Sequence, residues 1–64
     1  MFKAIYIENS FEAGFALGSL TAFFAGQGCG RVTAIAHPEY VEVEIFANSA
    51  PIMSYALDKL AQFV

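Results

Sequence analysis

The chain has 64 residues, of which 58% are hydrophobic, and its three basic and six acidic side chains give a net charge of −3. A chain of this length removes only about 60% of its unfolded surface from water, so residues 1–64 are expected to form one domain and two-lobed enzyme architectures are excluded. Counted with glycine and without tyrosine the apolar share is about 61%, and this excess over the usual ~45–50% excludes disorder, while the wide spacing of Lys3, Arg31 and Lys59 argues against nucleic acid as a partner.

Residues 2–8 are rich in Ile, Tyr and Phe and predict a first strand, with Phe2, Ala4 and Tyr6 on one side and Lys3, Ile5 and Ile7 on the other. Asn9 stands in a capping position, with Glu12 three residues on, and a helix is expected over residues 10–25. Ala13, Ala16, Leu17, Leu20 and Phe24 form its apolar stripe, while Phe11, Phe15 and Phe23 add apolar bulk outside that stripe. Gly14, Gly18, Thr21 and Ala25 make a second stripe of small residues. Interior glycines cost about 1 kcal/mol each relative to alanine, a cost that close approach of another backbone offsets. Either the chain's own sheet or a second chain can supply that backbone.

Residues 13–30 carry no charge, which raises the question of a membrane span. The apolar part ends at Gly26 and includes Ser19 and Thr21, well short of the ~20 residues a span requires. No membrane partner is expected. Glu8 and Asn9 interrupt the first apolar run too early for a secretory signal, and no lipidation motif is present. The single cysteine, Cys29, cannot form an internal disulfide, which suits a reducing, cytoplasmic setting.

The glycine cluster at residues 26–30 ends the helix by supplying left-handed backbone. It is a poor match to a phosphate loop, because such loops precede a helix. Residues 31–37 and 40–47 then alternate as two strands around a turn at His37, Pro38 and Glu39. In the second of them Val41, Val43, Ile45 and Ala47 oppose Tyr40, Glu42, Glu44 and Phe46. Asn48 or Ser49 caps a last helix with Pro51 in its first turn, and Met53, Ala56, Leu57, Leu60 and Val64 form its buried stripe. The resulting βαββα order predicts an α+β fold: a three-stranded sheet with the third strand in the middle and two helices on one face. That is a ferredoxin-like arrangement without its last strand.

Candidate chemistry is sparse. His37, Glu39, Glu42 and Glu44 are the one dense titratable group, and their spacing matches no zinc or calcium motif. Cys29 has only Arg31 nearby and no local general base. Serine-histidine triads, nucleophile elbows and dinucleotide fingerprints are absent. No catalytic residue, metal or cofactor is expected.

The apolar material exceeds what one helix-on-sheet layer hides, and clustered exposed apolar surface marks interaction sites. The first reading is a non-enzymatic interaction module that occupies a surface of a larger protein as an inhibitor or adaptor, in the manner of small regulatory and virus-encoded inhibitory proteins. Tyr40, Glu42, Glu44 and Phe46 are the expected contacts to a basic partner surface. Self-association as a homodimer is assigned to Gly14, Phe15, Gly18 and Ile35. The second reading is a small-ligand or nucleotide pocket at the dimer seam, lined by Phe15, Phe23 or Tyr6 and touched by the loop at residues 26–30.

Overall fold

A computed structural model describes all residues, 1–64. Strand β1 (Phe2–Glu8) leads into helix α1 (Phe11–Gln27), followed by β2 (Gly30–Ala36), β3 (Tyr40–Ala47), helix α2 (Ala50–Leu60) and a closing 3₁₀ turn at Ala61–Phe63. The strands form one sheet in the order β1-β3-β2, antiparallel throughout. The expected α+β, ferredoxin-like architecture is what the chain adopts. No helix is long and apolar enough to cross a membrane.

Period-two alternation settles which side of the sheet is dry. Val41, Val43, Ile45 and Ala47 of β3 are buried, and they meet Ile7 from β1 and Val32 from β2 on the same face. Ala13, Leu20 and Phe24 of α1 and Met53, Ala56 and Leu60 of α2 close over them, completing a single core with no buried polar side chain. α1 packs against β2 and α2 against β3, and Phe23 bridges the helices by packing on Tyr55 with ring centroids 4.8 Å apart.

Two element ends differ from expectation. The cap of α1 is Ser10 and not Asn9: the Ser10 hydroxyl accepts the Ala13 N–H at 3.2 Å and donates to the Glu8 carboxylate. Asn9 instead donates its side-chain amide to the His37 carbonyl at 2.6 Å, tying the start of α1 to the β2–β3 turn. With Ser10 as cap, Glu12 falls one position short of the capping-box site and serves as an acidic first-turn residue. At the other end of the chain Val64 is exposed, because α2 stops at Leu60 and the 3₁₀ turn carries the last residues off the buried stripe.

The glycine cluster behaves as a helix stop. α1 runs on to Gln27, and Gly28 takes left-handed backbone (φ 62°, ψ 31°) while its N–H donates to the Phe24 carbonyl at 2.9 Å. Gly30 then enters β2 at φ 150°, so close to β3 that a Cβ there would collide with the Phe46 carbonyl. Asn48 fastens this corner, its backbone N–H donating to the Cys29 carbonyl at 2.9 Å and its side chain to the Gly28 carbonyl at 3.3 Å. Ser49 caps α2 by accepting the Ile52 N–H at 3.4 Å.

Candidate functional site

Because both helices cover one face, the other face of the sheet is uncovered, and the register dictates what stands on it. Phe46 on the central strand is flanked by Phe2 and Arg31, Glu44 by Ala4 and Thr33, and Glu42 by Tyr6 and Ile35. Tyr40 lies at the far end opposite Glu8. Apolar side chains stay in water here to an unusual extent: Phe2 is 54% exposed, Tyr6 63% and Ile35 61%.

The aromatic groups are organised at the two ends of the face. At one end Phe2 packs on Phe46 with centroids 4.8 Å apart, and the Arg31 guanidinium sits 4.7 Å from the Phe46 ring centre, a cation–π arrangement. At the other end Tyr6 meets Tyr40 edge-on at 5.3 Å, and the His37 imidazole stacks on Tyr40 at 4.5 Å. Between them, half-buried Glu42 and Glu44 occupy the middle of the central strand. His37 Nε2 stands 3.7 Å from Glu42 Oε1, within ion-pair range but beyond a hydrogen bond, and that nitrogen has no hydrogen-bond partner. Thr33 donates weakly to Glu44 at 3.4 Å.

Tyr40, Glu42, Glu44 and Phe46 therefore share one uncovered face, as β3 alternation predicts. Phe2, Tyr6, Thr33 and Arg31 join them through cross-strand pairing. Arg31 shares the i, i+2 period of Thr33 and Ile35, the one local signal that places it on this face. The self-association residues divide between two sides of the molecule. Gly14, Phe15 and Gly18 lie exposed on α1, and Ile35 lies on the open side of β2. A Cβ at Gly14 or Gly18 would meet nothing within 4 Å, so the chain's own sheet does not lie against the small-residue stripe.

Three shallow, open depressions mark the surface: one at Met1, Phe2, Arg31 and Phe46, one beside Phe11, Gly14 and Phe15, and one between Tyr6 and Tyr40. Within one chain Phe15, Phe23 and Tyr6 do not converge on a common cavity, since Phe23 is spent on the helix pair and Tyr6 is on the opposite side of the sheet from α1. No three His, Cys, Asp or Glu side chains come together in a way that could hold a metal ion. Cys29 is half-buried against the core.

Comparison of the chain with protein-family models, with curated proteins and with solved structures finds no match. The functional reading is carried by the geometry of the molecule itself.

Proposed function

We propose that the chain is a non-enzymatic interaction module that works by laying the open face of its sheet on a larger protein, as an inhibitor or an adaptor. The observation supporting this is the composition of that face: aromatic pairs at both ends with two carboxylates between them and no third layer above. Rigid aromatics on a sheet lose little conformational entropy when they dock and are frequent anchors of binding energy. Glu42 and Glu44, held at neighbouring positions of the stiff central strand, select a partner with a basic surface and disfavour acidic ones. The same carboxylates keep an apolar face dispersed in water while it has no partner. A reducing compartment such as the cytoplasm suits the single free thiol.

The test is affinity capture from the native host, comparing the natural chain with the double variant Glu42→Lys, Glu44→Lys and identifying captured proteins by mass spectrometry. The reading expects a partner with a basic docking surface to be retained by the natural chain and lost by the variant, whose circular dichroism is unchanged. An identical captured set from both chains rejects the assignment of this face.

A further inference from the structure

Beyond the open face, the side of the molecule along β2 carries two independent features that neither the core nor the proposed partner surface uses. The first is the edge of the sheet. His37 N–H donates to the Tyr40 carbonyl at 2.8 Å and Asn48 N–H to the Cys29 carbonyl at 2.9 Å, which fixes the odd-numbered residues of β2 as those whose backbone groups point at β3. The N–H and C=O groups of Gly30, Val32, Ala34 and Ala36 therefore point outward, and no hydrogen bond within the chain takes them up. From Val32 to Ala36 this edge carries no charge and no proline. The opposite edge, β1, is guarded: Lys3 points to the helix side, a common device against edge pairing.

The second feature is the flank of α1. At about 100° per residue, Gly14, Gly18, Thr21 and Ala25 lie roughly opposite Phe23 around the helix. Phe23 faces α2, and α1 lies over β2, so the small-residue flank overhangs the β2 edge. All four of these residues are exposed. The two glycines fill no need inside the monomer, because nothing lies within 4 Å of a Cβ at either.

We propose that a second copy of this chain pairs with β2, antiparallel about a two-fold axis, to give a continuous sheet in the order β1-β3-β2-β2-β3-β1. Overlap is complete when Thr33 of one copy faces Thr33 of the other. In that register Val32 exchanges hydrogen bonds with Ala34 of the second copy and Gly30 with Ala36, so every outward backbone group of the strand finds a partner. The same operation sets the two α1 helices side by side above the seam, and the small residues permit the 8–10 Å axial spacing of packed helices. Charge agrees with the register. Arg31, the one basic side chain on the open face, comes opposite Ile35 of the second copy, whose neighbour on β3 is Glu42, about one strand spacing (~4.8 Å) further on. The partner-binding faces of both copies then lie on one side of the shared sheet.

Sedimentation equilibrium at high micromolar concentration tests this with two variants. Ala34→Pro removes an outward donor that the monomer does not use, and Gly18→Lys places a long side chain on the α1 flank where the monomer has open space. The natural chain is expected at twice the 6.9 kDa monomer mass, and each variant at the monomer mass with unchanged circular dichroism. A natural chain that sediments as a monomer, or a dimer that survives either substitution in a folded variant, overturns the proposal. Should Ala34→Pro fail to fold, Gly18→Lys decides alone. Partner capture through Glu42 and Glu44 is read separately, so loss of one property does not imply loss of the other.

Discussion

The imidazole of His37 lies against the ring of Tyr40, centroids 4.5 Å apart and planes 22° from parallel, at the end of the open sheet face. The contact closes the β2–β3 turn from above while His37 N–H closes it from within, by donating to the Tyr40 carbonyl. Tyr40 also meets Tyr6 of β1 edge-on. One ring on the central strand therefore links the β2–β3 turn to β1.

Replacing Tyr40 by Ala is expected to separate stability from binding. Cross-strand aromatic pairs on a half-exposed face contribute about 0.2–1 kcal/mol, so urea denaturation should show a loss of that order. Affinity for the partner should fall much further, by about 2 kcal/mol or roughly 30-fold, if the ring anchors the interface. Equal losses in the two measurements would mean that Tyr40 acts only through the fold.

A substitution at Gly30 acts through backbone alone. Gly30→Ala must hold a Cβ at φ 150° against the Phe46 carbonyl, so β2 has to shift away from β3 at its first residue. The expected cost is about 2 kcal/mol or more, visible as a lowered thermal midpoint, and a midpoint unchanged within a degree or two would contradict the close approach described at this corner.

Gly14→Ala and Gly18→Ala are expected to do the reverse. Open space surrounds both positions, and alanine favours the helix by about 1 kcal/mol per site. Scanning calorimetry at a concentration low enough to populate monomers should show each raising the midpoint by about 4–8 °C. The same variants should weaken self-association, because two added methyl groups hold the α1 helices apart.

Phe24→Ala probes the core. Phe24 of α1 is 1% exposed, within the core cluster, and truncation of a buried Phe costs about 3–5 kcal/mol. A core of this size rarely supplies more than about 3–5 kcal/mol in total. The variant is therefore expected to be largely unfolded by far-UV circular dichroism at 25 °C, and a cooperative, native-like melt would show that the core is more forgiving than its packing implies.

Much of this molecule is legible in its residues, for reasons that can be named. Val41, Val43, Ile45 and Ala47 alternate strictly because β3 is the central strand, with one face dry and the other wet. That alternation alone placed Tyr40, Glu42, Glu44 and Phe46 together. Ser10 was harder to see as the cap of α1, since Asn9 is an equally good capping residue and only its hydrogen bond to the distant His37 carbonyl removes it from competition. Pairing of Arg31 with Phe46 depends on the β2–β3 register, which the turn at residues 37–40 and the Asn48 corner set, and pairing of Tyr6 with Glu42 on the β1–β3 register, held at its end where Met1 and Ala47 exchange hydrogen bonds; no local pattern announces either. The bare flank of α1 was visible as a stripe of small residues, but which side it faced depended on where α2 docks. Val64 fits the helical period of α2 and is nevertheless exposed, because the period ends where the helix does.

Tyrosine-selective labelling gives the most direct test of the central claim, because the three tyrosines divide between the two sides of the molecule. Tyr40 on the open face and Tyr55 on α2 are equally accessible, each 39% exposed, and Tyr6 is more so. With the partner captured from the native host bound, modification of Tyr6 and Tyr40 should fall several-fold while Tyr55 continues to react at its free rate. Protection of Tyr55 with Tyr6 and Tyr40 still fully reactive would place the interaction on the helices and contradict the assignment of the open sheet face.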